Sequence, residues 1–99
     1  MRLLITGGTG VLGRALRPLA EAARHEVIAP GHAELDLFDA AAVGDAMRDV
    51  DGVLHLATRI RSLDQISDPD AWRENDRLRA DASRILVDAA IAAGAAAFV

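Results

Sequence analysis

Thr6-Gly7-Gly8-Thr9-Gly10-Val11-Leu12-Gly13 is the stretch on which the architecture of this chain turns. Before it, Leu3-Leu4-Ile5 is a continuous apolar run ended by glycines, the signature of a strand buried on both faces in a parallel sheet. After it, a helix is predicted from about Val11, with Leu12, Leu16, Leu19 and Ala23 on its apolar face and Pro18 bending it by removing one intrahelical bond. A glycine cluster between strand and helix is a specific signal, whereas the same glycines elsewhere would be a common one. Two registers fit: Gly8, Gly10 and Gly13 match G-x-G-x-x-G, and Gly7, Gly10 and Gly13 match G-x-x-G-x-x-G. In either, an early glycine permits the tight turn and Gly10 lets the backbone approach a pyrophosphate without a Cβ in the way. Gly13 lets the helix lie close on the sheet. The free N–H groups and positive dipole end at Val11 and Leu12 then face the phosphates. The alternative is a glycine turn that only joins strand to helix. A phosphate-binding P-loop is excluded, because no lysine follows the glycines.

Beyond the first helix, Glu26-Val27-Ile28-Ala29 reads as a second strand closed by Pro30-Gly31, and Glu34-Leu35-Asp36-Leu37 as a short third. A helix from about Asp39 to Arg48 follows, N-capped by Asp39. Val53-Leu54-His55-Leu56 is the fourth strand, entered through Asp51-Gly52. A polar loop then runs to about Ser67, and Asp68-Pro69 starts a long helix as N-cap and first helical residue. Leu78, Ala82, Ile85, Leu86, Ala89 and Ala93 form its apolar stripe and Gly94 its stop. Ala97-Phe98-Val99 begins a fifth strand. Strands alternating with helices predict an α/β fold of the Rossmann kind: a right-handed, doubly wound parallel sheet with helices on both faces, here the first four strands and the start of the fifth. Residues 1–99 are read as the N-terminal part of one such domain, with no second domain.

Composition narrows the function. The chain has 99 residues, 52% hydrophobic, with two phenylalanines, one tryptophan and no tyrosine. The formal net charge of -4 gives no support for nucleic acid or an anionic membrane as a partner. Cysteine is absent, which removes disulfides, thiolate metal sites and thiol nucleophiles together. The N-terminus has neither a signal peptide nor a membrane span, so a cytoplasmic location is expected. All 11 basic residues are arginine.

With the glycine loop in place, the chain resembles the short-chain dehydrogenase/reductase superfamily, and more closely its extended NAD-dependent epimerase/dehydratase branch. The resemblance covers nearly the whole chain. It rests on Thr6 to Gly13, Asp36-Leu37, His55-Leu56-Ala57-Thr58, and Asn75 leading into Leu86-Val87-Asp88-Ala89-Ala90-Ile91-Ala92-Ala93-Gly94. Glu34-Leu35-Asp36-Leu37 is also similar to the nucleotide-sugar reductases. The resemblance implies a dinucleotide cofactor, NAD or NADP, with Gly7, Gly10, Val11, Leu12 and Gly13 around its pyrophosphate. It implies that Asp36 accepts from the adenine amino group with Leu37 against the ring, and that Leu56, Ala57 and Thr58 line the path of the nicotinamide ribose. Asn75 would contact the cofactor or steady the loop below it. Asp36 and Asn75 have plainer alternatives, a turn former and a solvated helix position, and His55 is read as a packed core residue of a buried strand in preference to a proton shuttle.

The pattern also departs from the family. An acid about 20 residues past the glycines often holds the ribose 2′-hydroxyl, yet Pro30, Gly31 and His32 stand there. Neither cofactor is favoured, although Arg14 is a candidate to reach a 2′-phosphate. Arg24 ends the first helix where glycine is usual, which predicts a left-handed backbone there. Enzymes of the family use a tyrosine as general acid/base, with a lysine and a serine or threonine beside it, and this chain has neither tyrosine nor lysine. Ser62, Ser67 and Ser83 lack a paired base and read as solvated. Arg59 and Arg61 are candidates for meeting an anion above the site, against a plain surface loop. Asp64, Asp68 and Asp70 lack metal-ligand spacing. The expectation is a cofactor-binding portion of an NAD(P)-dependent oxidoreductase or epimerase, acting on a small molecule such as a nucleotide sugar, whose catalytic part lies outside this chain. The rival is a stand-alone dinucleotide-binding or redox-sensing module.

Overall fold

The computed structural model describes residues 1–58 and 63–99. In chain order it contains β1 (Arg2–Thr6), α1 (Val11–Ala22), β2 (Glu26–Ile28), α2 (Ala40–Ala46), β3 (Gly52–His55), α3 (Arg73–Arg77), α4 (Ser83–Ala93) and β4 (Ala97–Phe98). The strands form one parallel sheet in the order β2-β1-β3-β4. From β1 the chain crosses to β2 on one side, then returns past β1 to β3 on the other. Right-handed crossovers in opposite directions place α1 and α2 on opposite faces and leave a switch point between β1 and β3. No described helix is long and apolar enough to cross a membrane.

The main core lies between the sheet and the α2–α4 layer. Leu4 of β1, Val43 and Met47 of the α2 region and Leu86 of α4 are all fully buried. Register explains part of this, since Leu4 sits beside Ile28 on one flank and Val53 on the other. Asp39 caps α2 as expected, accepting from the N–H groups of Ala41 and Ala42 at 3.1 and 3.2 Å. Such a cap is worth about 1 kcal/mol.

Four expectations need correction. Glu34–Leu37 is not a strand: the N–H groups of Glu34 and Leu35 both donate to the Gly31 carbonyl, and Asp36 Oδ1 accepts from Phe38 N. Local turns consume the donors that a ladder would need, so Leu35 enters the core from an unpaired segment. The apolar stripe of α1 is mostly uncovered, for Leu12 and Leu19 are 59% and 67% exposed and Gly13 is the residue it buries. This helix packs on β2 and the glycine loop rather than on a second helix layer. The long helix is compound: Asp68 caps a 3-10 turn, Pro69–Trp72, which passes through α3 and a π turn, Leu78–Ala82, into α4. Finally, Ala90 is buried where Ala93 was expected. Ala93 lies on the same angular face as Leu86, seven positions on, but beyond the end of the core.

Both predicted helix stops hold. Gly94 is left-handed at φ 73°, and Arg24 adopts φ 68° without being glycine. The expectations for Arg59, Arg61 and Ser62 lie outside the described residues.

Candidate functional site

The site is built on the carboxyl ends of β1 and β3, where the chain must turn sharply twice. Gly7 ends β1 at φ +68°, and a Cβ there would stand 2.7 Å from Ala57 N and 2.8 Å from Leu56 C. Only glycine satisfies both the backbone angle and the approach to the second turn. Its carbonyl accepts from Gly10 N at 3.0 Å, which closes the loop over three residues and selects the register that starts at Gly7. At Gly13 a Cβ would lie 2.5 Å from the Gly7 carbonyl oxygen. Gly13 therefore lets α1 sit on the loop itself, rather than on the sheet as expected. Gly10 is the N-cap of α1 and has no side chain to cap it, and no acid stands in the first turn. The N–H groups at the start of the 12-residue helix are thus left facing the loop's mouth.

Thr6 ties the two turns together, a role that no local sequence pattern announces. It is 1% exposed and lies opposite His55 in the β1–β3 register. Its hydroxyl is 2.6 Å from His55 Nδ1 and accepts from Leu56 N at 3.1 Å and Ala57 N at 3.2 Å. His55 Nε2 is 3.2 Å from the Leu78 carbonyl oxygen in the π turn. A carbonyl only accepts, so Nε2 carries the proton, Nδ1 accepts, and the Thr6 hydroxyl donates to it. Every hydrogen-bonding position of Thr6 is then filled. His55 is a structural strut between two strands and a helix, which agrees with the packed-residue alternative.

Two clefts open around these turns. The first, about 350 Å³, runs from the glycine loop toward the turn after β2, and Gly7, Gly10, Asp36, Leu37, Leu56, Ala57 and Thr58 all line it. The second, about 500 Å³, shares Leu56, Ala57 and Thr58 and is bounded by Leu12 and Asn75. Of the residues predicted for the site, Val11 lines neither; it is 83% exposed at the start of α1. Gly13 is buried beneath the loop. Asn75 is buried at 6% exposure, against the solvated alternative. Asp36 lines the first cleft while one carboxylate oxygen holds Phe38 N at 2.9 Å, so its turn-forming role is real and does not remove it from the cleft.

Sequence reasoning did not find Pro30, His32, Phe38 and Glu74 as lining residues of the first cleft. The departure at Pro30 to His32 was the only available signal. The guanidinium of Arg77 lies 4.4 Å above the Phe38 ring and steadies that wall. Among the described residues no cluster of acids and histidines is arranged to hold a metal ion. The elements that the pattern assigns to a dinucleotide are present: a glycine cradle that a Cβ would fill, a helix start with no side-chain cap, and a cleft lined from Gly7 and Gly10 to Asp36 and Leu37.

The family model of the RmlD substrate binding domain matches residues 1–98. The chain belongs to this family. No curated protein matches it in sequence. Solved structures do match. A short-chain dehydrogenase/reductase superfamily protein from Agrobacterium tumefaciens with bound NAD is 28% identical, with a TM-score of 0.78 over 99% of this chain and 31% of that one. The Thermus thermophilus UDP-glucose 4-epimerase in complex with NAD is 22% identical, with a TM-score of 0.80 over 99% and 36%. The dTDP-4-dehydrorhamnose reductase from Bacillus anthracis in complex with NADP is 19% identical, with a TM-score of 0.78 over 97% and 34%. This family member therefore spans about a third of the solved chains it matches. Its fold is that of the dinucleotide-binding portion of epimerases and reductases in the superfamily.

Proposed function

We propose that this chain binds NAD or NADP across the carboxyl edge of its sheet and serves as the cofactor-binding portion of an epimerase- or reductase-type oxidoreductase. The observation that carries this reading is the Gly7 turn, whose closeness to Leu56 and Ala57 brings the two ends of the switch point together. The pyrophosphate lies over Gly7, Gly10 and the start of α1, near Val11 and Leu12, with Gly13 supporting the loop from below. The adenosine lies toward Asp36 and Leu37. The nicotinamide ribose passes Leu56, Ala57 and Thr58 and ends near Asn75.

The bound group supplies hydride acceptance or donation at its nicotinamide ring. The residues of this chain bind and orient it; neither tyrosine nor lysine is present to move a proton. A substrate of the nucleotide-sugar type and a cytoplasmic setting complete the proposal, the first supported by the names of the epimerase and reductase that share the fold. Trp72 is the sole tryptophan and borders the second cleft, so its fluorescence is a direct reporter. Titration with NAD and NADP is expected to give saturable quenching with at least one of them, and Gly7→Val is expected to abolish it. Absence of saturable binding by a folded wild-type chain would sink the reading.

A further inference from the structure

The second cleft has a charge that the cofactor-binding pattern does not use. Trp72, Asn75, Arg79 and Ser83 border it from the compound helix, and Leu12 borders it from the start of α1. Arg79 is the one arginine on its lining, and no carboxylate stands with it among the described residues. Several arginines elsewhere are neutralised locally: Arg17 pairs with Glu21, Arg48 with Asp45, Arg73 with Asp70 and Arg77 with Asp81. No ion pair engages Arg79 among the described residues, although Asp76 and Asp81 are close to it in the chain.

The opposite wall explains what such a cation is for. A dinucleotide brings two negative charges to the glycine loop, and Thr6 to Gly13 contains no basic side chain. The loop offers only N–H groups and the dipole of α1, worth a fraction of one charge. Leu12, which carries one of those N–H groups, lines the same cleft as Arg79. The π turn matters here, since Arg79 lies within Leu78–Ala82 and the Leu78 carbonyl is fixed by His55. One extra residue in the turn re-aims the side chains that follow it, and π turns of this kind occur often at functional sites.

We infer that Arg79 is a cofactor-binding residue that clamps the dinucleotide pyrophosphate from across the second cleft, on the wall that faces Leu12 and the start of α1. This rests on the cofactor-binding reading above. It supplies the missing counter-charge through a charge-assisted hydrogen bond. It also brings the pyrophosphate, and not only the nicotinamide ribose near Asn75, against the second cleft.

The test compares NAD with adenosine, which lacks the pyrophosphate, on the whole chain, following Trp72 fluorescence directly for NAD and by competition for adenosine. Arg79→Ala is expected to raise the NAD Kd about tenfold, the usual size for losing one charge-assisted hydrogen bond, and to leave adenosine unchanged. Arg79→Lys should recover most of the loss and Arg79→Gln little of it. Arg84→Ala, an exposed arginine on α4 that does not line the cleft, controls for net charge and should leave both affinities unchanged. An NAD Kd within twofold of wild type in Arg79→Ala overturns the inference, as does an equal loss for adenosine or an equal effect of Arg84→Ala. If the wild-type chain binds no NAD, the underlying reading fails first, and that result is distinct from a wild type that binds and a variant that binds equally well.

Discussion

A single hydroxyl shows how tightly the site depends on individual residues. Thr6 donates to His55 Nδ1 and accepts from two N–H groups of the turn after β3. Valine has nearly the same shape but can make none of these bonds. Thr6→Val would leave His55 Nδ1 and Ala57 N without a partner, while Leu56 N keeps its bond to the Thr6 backbone carbonyl, and is expected to lower stability in urea unfolding by about 2–3 kcal/mol. Thr6→Ser, which keeps the oxygen, should cost about 1 kcal/mol. Equal stability for wild type and Thr6→Val would mean that the network contributes nothing. The same geometry fixes a tautomer: nitrogen chemical shifts for His55 should report a proton on Nε2 and none on Nδ1. At this scale the sequence was partly legible. Gly7 and Gly13 announce themselves because a Cβ at either would stand under 3.0 Å from backbone atoms, and at Gly10 one would crowd the Gly7 carbonyl oxygen at 3.2 Å. Thr6 and Arg79 do not, since their roles come from strand register and a π turn, neither of which a local pattern encodes.

Elements were most legible where a cap or stop has its own chemistry. Asp39, Asp68 and Gly94 end or begin helices as predicted, each through a hydrogen bond or a backbone angle set within a few residues. Glu34–Leu37 misled because alternating leucines look alike whether or not a neighbouring strand pairs with them, and the deciding bonds belong to Gly31 and Asp36. The long helix misled for a related reason: one apolar stripe fits either an unbroken helix or one with an inserted residue. Arg24 offers a test at this scale. It sits at φ 68° after α1, with Arg24 N donating to Glu21 O and His25 N to Ala20 O, the closing bonds of a helix stop. A side chain there opposes the left-handed angle, so Arg24→Gly is expected to stabilise the chain by about 0.5–1 kcal/mol. For a domain of this size that corresponds to a rise in Tm of about 2–8 °C. A fall in Tm would show that the arginine side chain makes contacts worth more than the strain.

The two faces of the whole molecule are unequally covered. On one, α2 and α4 bury Leu4, Val43, Met47 and Leu86 completely. On the other, α1 leaves Val11, Leu12 and Leu19 at 83%, 59% and 67% exposure. Neighbouring exposed aliphatic residues on one helix form a sticky surface, because each gains about 1.5–3 kcal/mol when fully buried. The chain should therefore associate as its concentration rises. Leu19→Glu should weaken that association in sedimentation experiments while leaving NAD affinity unchanged, since Leu19 lies more than two turns along α1 from Gly10. The prediction separates two properties that share one helix. The start of α1 faces the glycine loop and belongs to the ligand, while its outward stripe belongs to whatever covers this side of the sheet. A loss of NAD affinity in Leu19→Glu would show that the two are coupled, with the helix positioned at the phosphates only when its outer face is buried. Association unchanged by the substitution would move the sticky surface elsewhere on the molecule, with Ile91 at 73% exposure on α4 the next place to look.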